Sequence, residues 1–254
     1  MNSVKRHVRV VAGLAMLVAA AGCSTVRQPV PTVTALLVDQ SIVSPTMRAE
    51  MTTIIKSVIW RAKPGSVIEI IPVSANSTAS AGGAVPFTFP EHSPMDNPLD
   101  YNAAVNAVRT AALNEAITLL SPSVAHQSAD GETDLLGAFG AAASFLNGDT
   151  FCAVSDKQLI IVSDGIHQTR ECDFLKIRFS PKENARIIRE QSVNGQLADL
   201  RGVKVWVAGV GGSEASTVSP SQFAAIECFW IADFQAMHAN VSPTRYGGTL
   251  ENYP

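Results

Sequence analysis

Four oxygen-bearing side chains stand near the ends of apolar segments. Asp39 and Asp164 each follow a run of apolar residues, Ser41 lies two residues after Asp39, and Thr133 lies in a polar segment just before a helix-forming one. Carboxylates and hydroxyls are hard ligands, which suit Mg²⁺, Mn²⁺ or Ca²⁺ better than zinc. The sequence therefore predicts a divalent-cation site that keeps bound water and an open position.

A purely structural interpretation of the same residues stands beside this one. Asp39 and Asp164 would then cap helices or close turns. His167, three residues after Asp164, is either a general base or a surface-loop histidine, and we favour the surface loop. Trp206 and Trp230 are predicted to pack in the core.

Strands and helices alternate between these residues. Apolar runs predict strands at 33–38, 67–73, 159–162 and 203–210, with a short edge strand within 84–89. Helices are predicted from the Ser44–Pro45 pair and over 103–120, 135–146, 182–191 and 222–239. This alternation predicts an α/β fold, a doubly wound, mostly parallel twisted sheet with helices on both faces. Ligands of such sheets bind beyond the carboxyl ends of the strands, where Asp39 and Asp164 lie.

The amino terminus has the pattern of an export signal. Lys5, Arg6 and Arg9 precede an apolar run over 10–22, whose 13 residues are fewer than the roughly 20 of a spanning helix. The run ends in Ala-Ala-Gly-Cys, which resembles a bacterial lipobox, although alanine stands where leucine is usual. The resemblance implies cleavage before Cys23 and a covalent lipid on its thiol. The alternative is an ordinary secretory signal in which Cys23 is incidental.

The predicted organisation is a signal peptide (1–22), a lipidated cysteine with a tether (23–31), one domain (32–240) and a tail (241–254). The lipid would hold the chain to a membrane of the cell envelope. Because the residue after Cys23 is serine rather than aspartate, we expect the periplasmic side of the outer membrane in a host with two membranes.

The composition argues against a nucleic-acid-binding protein and against a disordered one. Charged residues make up only 16% of the chain and the net charge is −3. Removal of the signal peptide takes away three basic and no acidic side chains, which lowers the net charge to −6. No basic field for nucleic acid is present. A hydrophobic content of 46% favours a folded domain over disorder.

Three cysteines remain after Cys23, so they form at most one disulfide within the chain. Cys152 and Cys172 flank a predicted strand at its opposite ends, too far apart for a bridge. The sequence does not fix the pairing, and we favour Cys172 with Cys228.

Four segments, in chain order, resemble the motifs of a von Willebrand factor A domain: TALLVDQSIVS, GETDLLGAFGAAASFL, LIIVSDG and VKVWVAGVGG. The resemblance runs over 33–240 and implies a metal-ion-dependent adhesion site. Asp39, Ser41, Thr133 and Asp164 would be its ligands and a protein its partner. The family's second serine is replaced by Val43, so the site is degenerate.

The expected function is that of a lipid-anchored envelope protein that recognises an unidentified protein with the help of a metal. The alternative, which Val43 favours, is a metal-free scaffold in an envelope assembly. A third reading is a hydrolase resembling haloacid-dehalogenase-like phosphatases, but these need a second aspartate where this chain has Ser41. The sequence also lacks a Gly-x-Ser-x-Gly elbow and a phosphate loop, so no enzymatic activity is expected.

Overall fold

The computed structural model describes residues 30–42, 44–80, 85–121, 132–211, 218–250 and 253–254. The predicted signal peptide, Cys23 and Val43 lie outside these residues. The elements along the chain are β1 (Val33–Asp39), α1 (Pro45–Trp60), β2 (Val67–Val73), α2 (Ser77–Ser80), β3 (Phe87–Thr88), α3 (Pro98–Leu119), α4 (Leu135–Leu146), β4 (Lys157–Val162), α5 (Pro181–Val193), β5 (Lys204–Ala208), α6 (Pro220–Ala236), a 3₁₀ turn (Pro243–Arg245) and β6 (Tyr246–Gly247).

The strands form one sheet in the order β3-β2-β1-β4-β5-β6. All neighbours are parallel except the edge strand β3, which runs antiparallel to β2. The chain winds outward from β1 in one direction and from β4 in the other, so the switch point lies between these two strands. The predicted doubly wound α/β class is confirmed by this order.

Helices cover both faces of the sheet. Alternate residues of β1 point to opposite sides, with Ala35 and Leu37 in one core and Leu36 and Val38 in the other. The first core is closed by α4, α5 and α6, and the second by α1 and α3. Two-sided burial explains why the central strands are continuous apolar runs rather than alternating ones.

Four of the helices begin at a polar residue followed by proline. Ser44, Asn97, Ser180 and Ser219 cap α1, α3, α5 and α6, and each is followed by proline at the first helical position. The cap at Asn97 starts α3 five residues before the predicted Ala103. The last helix stops at Ala236 instead of the predicted 239, and His238 has a left-handed φ of 61°.

The segment 241–254 is predicted as a tail outside the domain, but its described residues 241–250 and 253–254 belong to the domain. Tyr246 and Gly247 pair with β5 as the sixth strand. Tyr253 then packs against the second core, and its carbonyl accepts a hydrogen bond of 2.6 Å from the Arg61 guanidinium. The predicted domain boundary at 240 is therefore too early, because two strand residues carry no apolar run that the sequence could reveal.

Within the described part of the chain, no helix combines the length and the apolar character that crossing a bilayer requires.

Candidate functional site

Asp39 and Ser163 are neighbours at the switch point of the sheet. Val38 of β1 is in register with Val162 of β4, so the next residue of each strand, Asp39 and Ser163, lies at the same level. The crevice between these two carboxyl ends is where a doubly wound sheet binds its ligands.

The Asp39 carboxylate is fully buried and accepts three hydrogen bonds. Its Oδ1 accepts from the Ser41 amide at 2.9 Å and from the Ser41 hydroxyl at 2.7 Å. Its Oδ2 accepts from the Ser163 hydroxyl at 2.6 Å. Burial nevertheless outweighs these bonds and raises the pKa of Asp39 above its usual value. Among the described residues, neither a lysine nor an arginine pairs with Asp39, so its charge has no counter-ion there.

A tight turn places Asp164. Its Oδ1 accepts from the Ile166 amide at 2.9 Å, and its side chain is half-buried. Gly165 has a φ of 80°, and a Cβ atom there would lie 2.9 Å from the Tyr246 hydroxyl. The Gly165 carbonyl accepts from the Trp230 indole at 2.8 Å. Glycine is thus required both by the backbone conformation and by the space beside the turn.

Thr133 is held beside the same loop. Its amide donates to the Gln168 carbonyl at 2.6 Å, and its carbonyl accepts from the Gln168 amide at 3.0 Å, as in an antiparallel bridge. The Thr133 side chain is buried. The adjoining helix α4 is capped by Asp134, which accepts from the Gly137 amide at 2.8 Å. A side chain at Gly137 would collide with the Asp134 carboxylate, so this cap also needs glycine.

His167 does not lie on the surface, so that prediction is wrong. The side chain is buried, and its Nδ1 accepts a hydrogen bond of 3.2 Å from the Leu135 amide at the start of α4. Its ring meets Phe174 edge-on at 5.3 Å. Burial lowers the pKa of His167 to about 4, so the imidazole is neutral at neutral pH. With Nδ1 occupied, His167 acts as a structural acceptor that joins α4 to the loop after β4.

The four predicted residues therefore belong to one rim of the sheet. Asp39 and Ser41 touch directly, Asp164 follows the serine that binds Asp39, and Thr133 is bridged to the loop that Asp164 begins. The contribution of Ser163 was missed, although it directly precedes Asp164 in the sequence.

The donor atoms on this rim suit a hard cation. The hydroxyls of Ser41 and Ser163 donate their protons to Asp39. The Ser163 oxygen also accepts from the Gly165 amide at 3.0 Å, so each hydroxyl keeps at least one lone pair for a cation. In the part of the chain that the structure describes, no group of three or more His, Cys, Asp or Glu side chains could hold a metal. A cation here would therefore depend on hydroxyls, on the two carboxylates and on water, as a weakly held Mg²⁺ does.

The favoured disulfide between Cys172 and Cys228 is not formed. Both residues are free thiols, as is Cys152. Cys228 is exposed on α6, whereas Cys172 is half-buried against the core, and burial raises the pKa of Cys172 to about 11.

The chain is similar to a number of solved structures. No protein-family profile and no curated protein matches the chain. One match is the open conformation of the pilus adhesin SpaC from Lactobacillus rhamnosus GG, with a TM-score of 0.45 and 14% identity over 87% of this chain and 28% of that one. Another is a von Willebrand factor type A structure from Catenulispora acidiphila, with a TM-score of 0.28 and 14% identity over 82% of this chain and 43% of that one.

This chain spans less than half of either matched chain. Similarity at these TM-scores does not by itself decide a fold, and the strand order does so here. The fold is a doubly wound, mostly parallel α/β fold, the class that the sequence predicts.

Proposed function

We propose that this chain is a cell-envelope binding protein that recognises a protein partner through a divalent cation at the Asp39 rim. The ligands are Asp39, Ser41, Thr133 and Asp164, and the cation is Mg²⁺, Mn²⁺ or Ca²⁺. A lipid on Cys23 holds the domain to the membrane, on the periplasmic side of the outer membrane where the host has two membranes.

The observation that carries this proposal is the state of Asp39. Its carboxylate is completely buried, receives hydrogen bonds from two hydroxyls and one amide, and has no basic side chain among its described partners. A buried carboxylate without a counter-ion is costly, and a cation at the mouth of the crevice would relieve that cost. The raised pKa of Asp39 is consistent with this cost, because the hydrogen bonds do not fully compensate for burial of the charged carboxylate.

A cation held in this way can take part in recognition. With few charged ligands it retains water molecules, and a carboxylate from a partner can replace one of them. The ion then supplies the positive charge that the rim lacks, so partner binding would require the metal.

Thermal unfolding of the chain with chelator and with each ion tests the cation site. An ion at about 100 times its dissociation constant adds about 2.7 kcal/mol of stability, which raises the melting temperature by about 5–10 °C. We expect the ion-induced rise to be lost in Asp164→Ala and in Thr133→Val. The matched control is Asp100→Ala, which removes an exposed carboxylate from the first turn of α3 and should leave the rise intact. An equal response in all four proteins would refute the site.

A metal-free scaffold is the second candidate, and one observation favours it. Both oxygens of Asp39 already have donors, so the rim is internally satisfied without an ion. In that case no ion shifts the unfolding temperature of the unmodified chain at millimolar concentration. Ser41→Ala would still destabilise the domain, because Asp39 would lose a hydroxyl donor.

A further inference from the structure

Large exposed apolar side chains gather at one end of the domain. We call this end the amino edge, the end at which the parallel strands begin. Eight large apolar side chains are exposed among the described residues. Five of them belong to segments at the amino edge: Val30, Trp60, Met95, Leu99 and Val193. Met95 is 92% exposed and Val193 is 81% exposed, so these two side chains lie almost entirely in solvent.

Connectivity fixes two of these positions. A helix that links two parallel strands leaves the carboxyl edge of the first and arrives at the amino edge of the second. Trp60 ends α1, which leads into β2, and Val193 ends α5, which leads towards β5. Both residues therefore lie where strands begin.

Contacts fix the other three. The Gly65 amide, just before β2, donates to the Pro90 carbonyl at 3.2 Å, which brings the start of the 90–99 segment to the amino edge. A Cβ atom on Gly65 would touch both Glu91 and Pro31, so Val30 also enters the domain there. Met95 lines a surface pocket with Pro90 and Glu91, and Leu99 follows in the first turn of α3.

Trp60 has the surroundings of a tryptophan at a membrane interface. Its indole is half exposed, and the Arg109 guanidinium lies 4.8 Å from the ring centroid. Arg109 also donates to the Trp60 carbonyl at 3.1 Å. An aromatic ring beside an anchored cation suits the boundary between lipid headgroups and acyl chains.

Charges of both signs lie at the amino edge, where Arg61, Lys157 and Arg201 accompany several carboxylates. Lys63 and Lys204 are both paired with Asp156, at 3.9 and 2.8 Å. The carboxylates of Glu91 and Asp96 line the pocket that contains Met95. Attraction to a bilayer would therefore come from apolar burial and would depend little on salt.

The predicted anchor places this edge near a bilayer. Six residues lie between Cys23 and Val30, and the seven steps from one to the other reach at most about 25 Å when fully extended. We propose that the amino edge rests on the lipid bilayer, with Trp60, Met95 and Leu99 in the interfacial layer. This contact rests on the proposed lipid anchor, and it would direct the Asp39 rim away from the membrane.

Tryptophan fluorescence tests the contact directly. The chain has three tryptophans, and Trp206 and Trp230 are each only 2% exposed, so Trp60 is the accessible one. The full chain, purified with its lipid from bacterial membranes, is reconstituted into phosphatidylcholine vesicles with and without brominated acyl chains. We expect brominated lipid to quench part of the emission and Trp60→Phe to abolish that quenching.

Variants separate the contact from simple tethering. Met95→Ser combined with Leu99→Ser should reduce the quenching. The matched control is Ile117→Ser combined with Leu175→Ser, since Leu175 lies beyond the carboxyl end of β4 and Ile117 near the far end of α3. Met95 and Leu99 are 92% and 78% exposed, Ile117 and Leu175 are each 40% exposed, and none of the four belongs to either core.

The outcomes distinguish the two proposals. A chain that floats with the vesicles but is not quenched, and whose Trp60 stays open to aqueous acrylamide, would overturn the bilayer contact alone. A chain that does not float, and behaves like Cys23→Ser, would overturn both the anchor and the contact.

Discussion

At the scale of single residues, two buried titratable side chains have opposite effects on stability over almost the same pH range. His167 is buried as a neutral acceptor with a pKa of about 4. Asp233 on α6 is fully buried, neither of its carboxylate oxygens has a hydrogen-bond partner among the described residues, and burial raises its pKa to about 7. Their slopes therefore oppose each other between about pH 4 and pH 6.5.

Replacing Asp233 by asparagine should stabilise the protein at neutral pH. The folded pKa of about 7 lies above the ordinary 3.8, so the unfolded chain releases this proton first and stability falls as pH rises from about 4 to 7. The expected gain for Asp233→Asn is of the order of 4 kcal/mol at pH 8 and vanishes near pH 4. Denaturant unfolding across this range measures it. Asp100→Asn, at an exposed position, should show no such gain.

Replacing His167 by asparagine should remove a loss of stability in acid. The folded pKa of about 4 lies below the ordinary 6.5, so the unfolded chain binds the proton first and stability falls as pH drops from about 6.5 to 4. Asparagine can still accept from the Leu135 amide but does not titrate. The loss of stability in acid that His167→Asn removes is of the order of 3 kcal/mol. In the variant, Asp233 then governs how stability depends on pH, so stability should decrease as pH rises. A variant profile identical to that of the unmodified chain would contradict this assignment.

The sequence could place those residues of the candidate site whose surroundings come from nearby positions in the chain, and not those whose contacts join distant segments. The positions of Asp39 and Ser41 at the end of β1 were predictable, because a strand that ends in aspartate, with a serine two residues later, is visible along the chain. The role of Ser163 depends on the register between β1 and β4, which no local pattern encodes. The burial of His167 depends on how the loop after β4 folds over the start of α4, and a loop carries no periodicity from which burial could be predicted.

At the scale of elements, helix starts follow the cap and not the apolar stripe. The first turn of α3 is exposed from Pro98 to Asp100, so apolar periodicity could not detect it. The Asn97–Pro98 pair, of the same kind as Ser44–Pro45, would have given the correct start. By contrast α4 was predicted at its true bounds, because its first residue is already buried.

The contribution of a helix cap to stability can be measured at Ser180, which is exposed. The Ser180 hydroxyl accepts from the Glu183 amide at 3.2 Å at the start of α5. Ser180→Ala should lower the free energy of unfolding by about 1 kcal/mol, because that amide loses its acceptor. Ser192→Ala, an exposed change near the other end of the same helix, serves as the control and should have little effect. Equal losses for the two variants would argue against a capping role.

At the scale of the whole molecule, strand order was predictable only in part. Alternating strands and helices predicted a parallel, two-sided sheet, and the carboxyl-edge position of Asp39 and Asp164 followed from it. The sixth strand was not predictable, because Tyr246 and Gly247 join the sheet through backbone pairing with β5. Their neighbours then cover Trp206, with the Arg245 guanidinium 4.7 Å from its ring centroid and the Tyr253 ring centroid at 5.5 Å.

Ending the chain after Asn240 should therefore damage the folded domain. The outer edge of β5 would lose its partner strand, and Trp206 would lose the two side chains that cover it. We expect a shift of tryptophan emission to longer wavelength and a lower denaturation midpoint. Tyr253→Ala should shift the emission and lower the midpoint in the same directions, but by less than the truncation does. An unchanged spectrum after truncation would show that 241–254 is a dispensable tail after all.

The central position of β1 has a mechanical consequence. The proposed anchor enters the domain just before Val33, and the proposed recognition rim lies at Asp39, so the two ends of this one strand connect membrane and partner. β1 is flanked along its length by β2 and β4. Tension between a moving partner and a fixed membrane would pull along this strand and strain both hydrogen-bond ladders together, in shear, instead of unzipping them one bond at a time. The fold thus places the direction of pull where the sheet resists it most.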